Sequence, residues 1–142
     1  MDEEKTARRI ARHMLENDAF SRWMGVEILE AAPGRSVLKA QVRDEMTNGF
    51  AVTHGGLIFS LADSTLAFAA GSRGRIAMTI DSSISYVKAV YSGDVLTAEA
   101  VEEHLGRQTG VYNITVKNQK EKVVALMRGT VYRTNREFKF DL

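Results

Sequence analysis

Apolar positions along the chain fall into three regimes: spaced by threes and fours near the N-terminus, nearly unbroken in the middle, and alternating with polar residues through most of the remainder. Ala7, Ile10, Ala11, Met14 and Leu15 recur at the spacing of an amphipathic helix. An N-terminal helix over 1–16 is therefore expected to cover part of the core. Asn17 and Asp18 end that helix and open a short second helical turn through Phe20 and Trp23, whose rings either pack inward or line the mouth of a pocket. Positions 25–32 and 35–43 read as strands. They are joined by the turn Ala32-Pro33-Gly34-Arg35, in which proline presets φ and glycine accepts a positive φ. In the second strand Leu38, Ala40 and Val42 alternate with Lys39, Gln41 and Arg43, so one face is wet.

The middle regime, T-H-G-G-L-I-F-S-L-A-D-S-T-L-A-F-A-A-G-S at 53–72, reads as one long helix, apolar on nearly every side and hence buried. Asp63 is its only acid, and an ionised group there is costly unless compensated. Thr53 is the expected N-cap. Gly55 and Gly56 follow, and without Cβ atoms they let a ligand approach the free amides of the first turn, where an acceptor oxygen is favoured. Asp63 stands nine positions after His54, about 13 Å along the axis and on the opposite face. If the helix start and the acid serve one reaction centre, the acid must come from a second copy of the chain. The functional unit is then a homodimer with two equivalent sites. The competing account is that the glycines ease packing and that Asp63 is a satisfied buried polar residue.

Before this helix, Asn48-Gly49 is a turn signal, with Asn48 either closing the turn or orienting a group beside the helix start. After it, Arg73 and Gly74 stop the helix. Strand-like runs follow at 76–89, 94–104, 108–117 and 123–134, with a polar hairpin loop at 118–122. Their short links argue for antiparallel pairing and an α+β architecture, one curved sheet around a helix. The whole of 1–142 is expected to be one domain, with 136–142 a tail that the core pattern does not need.

Charge narrows the function classes. Nineteen basic residues nearly balance eighteen acidic ones, which argues against a nucleic-acid or anionic-membrane footprint. The absence of cysteine removes disulfides and thiolate catalysis. His13 and His104 are taken as structural, and no metal site is expected. The charged N-terminus lacks a signal peptide's apolar stretch, and no run is long enough to span a bilayer, so a cytoplasmic protein is expected.

Two segments, M-T-N-G-F-A-V-T-H-G-G-L-I-F-S-L-A-D at 46–63 and G-R-Q-T-G-V-Y-N-I at 106–114, together with the order of elements, resemble the hotdog-fold thioesterases, and among them the PaaI branch of phenylacetic acid degradation. The resemblance runs over about 17–133. It implies a curved antiparallel sheet wrapped around one long central helix, pairing of two domains edge to edge, assembly of dimers as a homotetramer, and an acyl-CoA substrate at the dimer interface. No cofactor is implied, coenzyme A being part of the substrate.

Carried over by position, the resemblance makes Asp63 the catalytic carboxylate, as nucleophile or as general base. Gly55 of the facing subunit supplies the N–H that polarises the thioester carbonyl, with His54 and Asn48 placing that carbonyl and the helix start. Thr79 orients the water, with Ser82 and Ser83 as rivals. Lys88, Arg107 and Gln108 are candidates for CoA contact, with Arg133 behind them, and Gly56 lies beside the substrate. Phe20, Trp23, Phe59 or Tyr86 could pack on an aryl ring, which suits phenylacetyl-CoA or its ring-hydroxylated forms. Medium-chain acyl groups suit the same residues, and a non-catalytic acyl-CoA-binding protein is a further alternative. The hydratases of this fold typically carry a histidine five positions after the aspartate; here that position is Phe68. Burial raises the Asp63 pKa and a facing helix start lowers it; sequence does not rank the two.

Overall fold

The computed structural model describes residues 2–140. Helix α1 spans Glu3–Glu16 and α2 Ala19–Trp23; strands β1 and β2 span Glu27–Ala32 and Arg35–Gln41. A single 3₁₀ turn, Asp44–Met46, precedes the long helix α3, Gly55–Gly71. Strands β3 to β6 are Arg75–Tyr86, Val95–Leu105, Thr109–Lys117 and Val123–Glu137. Both short-range helix starts are capped by aspartate: Asp2 accepts from the Glu4 amide at 3.1 Å and Asp18 from the Ser21 amide at 2.9 Å.

The six strands form one antiparallel sheet in the order β1-β2-β4-β5-β6-β3. Pairing is antiparallel as the short links require, but the link 87–94 closes no hairpin: β3 lies against β6 at the sheet's far edge, not against β4. The cause is the path of that link. It leaves β3 under hydrogen bonds from the Val87 and Lys88 amides to the Val124 carbonyl, buries Val90, and enters β4 beside Val42. On the way the Val90 carbonyl accepts from the Thr53 amide at 2.7 Å, so the link also braces the start of α3.

α3 lies against the sheet's inner face, where Leu38, Ala40, Leu96, Ala98, Ala100, Tyr112, Ile114, Ala125 and Met127 are buried with Leu57, Leu61, Leu66 and Phe68 of the helix. Close approach depends on small residues. A Cβ on Gly129 of β6 would lie 2.5 Å from Leu66 Cδ2, inside any real contact. The far end of α3 is tied down by Ser72, whose Oγ lies 2.7 Å from the Ala32 carbonyl and accepts from the Gly34 amide at 3.2 Å. Gly34 has φ of +76°, as its turn demands.

Two expectations need correction. α3 is not covered on every side: Gly56, Phe59, Ser60, Asp63 and Ala67 form an open or half-buried stripe along one side of an otherwise buried helix. Small residues such as Ala67 carry no sign of which way they face, so composition alone reads as burial all round. The tail is also less separate than expected. β6 runs through Glu137, and the rings of Phe138 and Phe140 pack edge-on against His13 of α1 at 6.4 and 5.4 Å. Met1, Asp141 and Leu142, the ends of the expected single domain, lie outside the described residues.

Candidate active site

The start of α3 is built from four residues. The expected cap, Thr53, does not cap: its amide is engaged by Val90 and it bridges to Thr47, which keeps the chain extended for one residue more. His54 is the N-cap, its Nδ1 accepting from the Gly56 amide at 2.8 Å. An accepting Nδ1 places the neutral ring's proton on Nε2, leaving that N–H as a donor. Gly56 lacks a Cβ for the same reason, since one would lie 2.9 Å from His54 Nδ1. Its amide is thus already used.

Gly55 is the reverse case. Its carbonyl accepts from the Tyr86 hydroxyl at 2.8 Å, and a Cβ would meet the Tyr86 ring at 3.2 Å. The Gly55 N–H finds no acceptor among the described residues. Leu57 N–H, next in the first turn, bonds to the His54 carbonyl at 3.0 Å. At the tip of α3 the amide left open is that of Gly55, at the positive end of a 17-residue helix. Beside it lies a cleft of ≈ 370 Å³ lined by Val52, Thr53, Gly55, Ile58, Tyr86 and Lys88 among others. Thr53 Oγ1, buried, has no hydrogen-bond partner among the described residues.

Asn48 serves the turn: its Oδ1 accepts from the Phe50 amide at 2.8 Å and the Val52 amide at 3.4 Å, folding 48–52 into a loop just before the helix. The Thr47–Thr53 bridge closes the neck of that loop next to His54.

Asp63 lies half-buried on the open stripe of α3, eight residues beyond Gly55 and so about 12 Å along the axis. Thr79 of β3 donates to its Oδ1 at 3.2 Å. Burial pushes the carboxyl above the ordinary aspartate range; the Thr79 bond opposes this and the charge of Asp18 adds to it. Within one protomer, burial leads. Next to Asp63, Ser64 reaches Ser21 Oγ at 2.7 Å, and Ser21 in turn reaches Asp18 Oδ2 at 2.5 Å. This hydroxyl chain fastens α2 to the helix, leaving Phe20 and Trp23 exposed with ring centroids 5.8 Å apart. Sequence reasoning missed that chain, whose one signal was a serine beside the acid in an apolar run.

The remaining candidates separate. Ser82 Oγ is buried without a partner among the described residues and Ser83 is exposed, both on β3 and neither bonded to Asp63. Lys88 is exposed just beyond the Tyr86 end of β3. Arg107 and Gln108 lie in the β4–β5 turn at the opposite end, where Arg75 donates to the Arg107 carbonyl at 2.9 Å and Arg133 to the Gly106 carbonyl at 2.8 Å. Eleven residue steps of strand, roughly 36 Å, separate residues 75 and 86, so one protomer cannot bring Lys88 and Arg107 to the same phosphate. At the Arg107 end, burial and the neighbouring Arg75 lower the Arg133 pKa.

An open helix-start amide, a half-buried carboxylate and a hydroxyl on it are a hydrolase's parts, and the chain matches the thioesterase superfamily over residues 50–125. The chain belongs to that superfamily. The acyl-coenzyme A thioesterase PaaI of Escherichia coli is 42% identical over 87% of this chain and 88% of its own length. The structure of the PaaI protein from the phenylacetic acid degradation operon of Escherichia coli superposes with a TM-score of 0.95 at 38% identity, covering 97% of this chain and 100% of that one. A hypothetical thioesterase of Streptococcus pneumoniae, solved with coenzyme A, gives 0.83 at 30% identity over 89% of this chain and 98% of the other. A protein of the same description has also been solved as an Asp→Ala and as a Thr→Ala variant, the two positions sixteen apart. This thioesterase therefore has the hotdog fold and is an acyl-CoA thioesterase of the PaaI type, a thioester hydrolase. No helix among the described residues is long and apolar enough to cross a membrane.

Proposed function

We propose that the enzyme is a cytoplasmic homodimer, assembling as a homotetramer, that hydrolyses phenylacetyl-CoA or its ring-hydroxylated forms at two sites shared between protomers. In each site the Gly55 N–H of one subunit binds the thioester oxygen as negative charge develops there. Asp63 of the other subunit acts as general base on water or as nucleophile. One such backbone donor is worth about 2.7 to 4 kcal/mol in the transition state, and the helix dipole adds to it. His54 Nε2–H and Asn48 flank that oxygen, and Thr79 keeps the Asp63 carboxylate ionised and oriented. No cofactor takes part.

The observation that carries this reading is the unclaimed Gly55 amide, about 12 Å from the acid it must work with. A base and an oxyanion donor acting on one carbonyl stand within about 7 Å of each other, each being near 3 Å from its atom. A second copy resolves the mismatch. β3 is an edge strand, with Met78 and Ile80 exposed along it, and it touches Asp63 through Thr79 and Gly55 through Tyr86. Two copies of β3 paired antiparallel about Ser82 and Ser83 bring the Tyr86 end of one to the Thr79 region of the other. They also bring Lys88 of one subunit toward Arg107, Gln108 and Arg133 of its partner, a basic surface for the CoA phosphates, while Gly56 and the Thr53 cleft border the path between. The sixteen-residue interval of the two substituted pneumococcal positions equals that from Asp63 to Thr79. The aryl substrate is favoured over medium-chain acyl groups by the exposed Phe20 and Trp23, with Phe59 half-open on the stripe.

Complementation tests the shared site. Gly55→Pro removes the amide while suiting the first position of a helix, with its Cβ 3.2 Å from the Tyr86 ring, which must shift by a few tenths of an ångström, and Asp63→Ala removes the acid. Each alone is expected to be inactive on acyl-CoAs. Refolded together in equal amounts, half the dimers are mixed and each mixed dimer holds one intact site, so about a quarter of wild-type activity should return. A mixture no more active than its components would refute the shared site. A higher kcat/KM for straight-chain than for aryl-acetyl substrates would refute the substrate choice.

A further inference from the structure

The peptide joining Gly55 to Gly56 is held at both ends by side chains from outside the helix. Its N–H is taken by His54 Nδ1 at 2.8 Å and its carbonyl by the Tyr86 hydroxyl at 2.8 Å. That carbonyl, first in α3, also stands where it accepts the helix's own bond four residues on, so the tyrosine uses its second lone pair. The Tyr86 side chain, the last of β3, is half in solvent, and its ring lies against Gly55, 3.2 Å from where a Cβ would stand. Burial raises its pKa further above the ordinary tyrosine value, and the hydroxyl is a donor at neutral pH with or without that shift.

Resting on the thioesterase reading above, we infer that Tyr86 is a positioning residue for the carbonyl-binding amide. The Gly55 N–H belongs to the preceding peptide, whose His54 carbonyl accepts from the Leu57 amide at 3.0 Å; by fixing the plane of the next peptide the Tyr86 hydroxyl removes the remaining rotation about Gly55, so that the two bonds together set the direction of the Gly55 N–H. Glycine is the residue whose backbone is least restrained at this point, so the restraint must come from elsewhere. A donor aimed at a developing oxyanion loses its effect when misdirected, because hydrogen-bond strength falls steeply with angle. The Tyr86 hydroxyl does this work from the same strand that holds Asp63 through Thr79.

Tyr86→Phe keeps the ring and removes the hydroxyl. The expected result is a kcat lowered about fivefold to tenfold, one hydrogen bond's net worth, with KM changed less than twofold and a melting temperature within about 4 °C of wild type. Spectra of protein labelled with ¹⁵N-glycine should show the Gly55 and Gly56 amide signals displaced while the other glycines stay in place. An active wild type whose kcat survives Tyr86→Phe would overturn the inference, as would unmoved Gly55 and Gly56 signals. A wild type that hydrolyses no acyl-CoA would overturn the thioesterase reading and this inference together. That outcome is distinguished from the first two because Tyr86→Phe then has no wild-type turnover to compare with.

Discussion

Asp63→Asn is expected to make the protein more stable and nearly inactive at once. The substitution is close to isosteric, and Thr79 can still donate to the amide oxygen as it does to Oδ1 at 3.2 Å. What changes is the charge. Burial raises the Asp63 pKa, so the folded chain holds that proton more tightly than the unfolded chain, whose carboxyl titrates at the ordinary 3.8. Between 3.8 and the raised value the folded state binds more protons than the unfolded state. Stability therefore falls as pH rises through that window, and above it the whole cost of the charge is present. The asparagine variant lacks that slope.

A fully buried, unpaired charge would cost several kcal/mol. Asp63 is half-buried and keeps one hydrogen bond. The gain on neutralising it should therefore be about 1 kcal/mol, in the range of other changes that trade function for stability. For a chain of this length that is a rise of about 3 °C in melting temperature at pH 7, shrinking to nothing as pH falls below 3.8. Loss of the base should lower kcat by about 10² to 10⁴. Thermal unfolding of both proteins across pH 3.5 to 8 reads the first, and release of CoA thiol reads the second without background, since the chain has no cysteine. An asparagine variant that melts at or below wild type at pH 7 would show that burial is not the leading effect. One that keeps wild-type kcat would remove Asp63 from the chemistry.

Thr79→Val removes the bond that favours the ionised carboxylate, so the acid limb of the kcat/KM profile should move to higher pH and kcat fall about tenfold; an unmoved limb would exclude Thr79 from the site. Gly129→Ala puts a methyl group 2.5 Å from Leu66 Cδ2, and the overpacking should lower stability by about 1 to 3 kcal/mol in urea titration, with an unchanged midpoint ruling out the tight seat of α3.

Periodicity made most elements legible, because it records which face of a segment is wet. The stripe from Ala7 to Leu15, the alternation around Leu38 and the turn at Gly34 are local patterns, and each lies where the residues place it. Strand order was not legible. An eight-residue link can close a hairpin or cross the sheet, and a bond from Thr53 to Val90, distant in sequence, decides which. The helix start shows the same limit on a smaller scale. A hydroxyl preference favours Thr53 as the cap, yet the same bond holds Thr53 extended and hands the role to His54. The H-G-G signal was present, but its meaning lay in the space that the missing Cβ atoms leave for His54 and Tyr86. Tyr86 could be read from sequence only as an aromatic residue near the acyl group. Its hydroxyl contact lies 31 residues away along the chain.

The separation of Gly55 from Asp63 is mostly one of rise, since eight residues leave the two only about 80° apart around the axis. Gly56, Phe59, Ser60, Asp63 and Ala67 share one side of α3, so rotating the helix would bring the acid no nearer to its start. An α-helix is stiff along its axis, and two turns of it hold the amide and the acid about 12 Å apart whatever the loops do. The same stiffness serves a two-fold arrangement, because the separation within one protomer becomes the offset by which its partner must be displaced. On the proposed pairing, β3 carries that offset to the edge of the sheet, since Thr79 and Tyr86 bond to the two ends of the interval. Any slip in the register of the paired strands would then misplace both sites equally, and strand register is held to whole residue pairs.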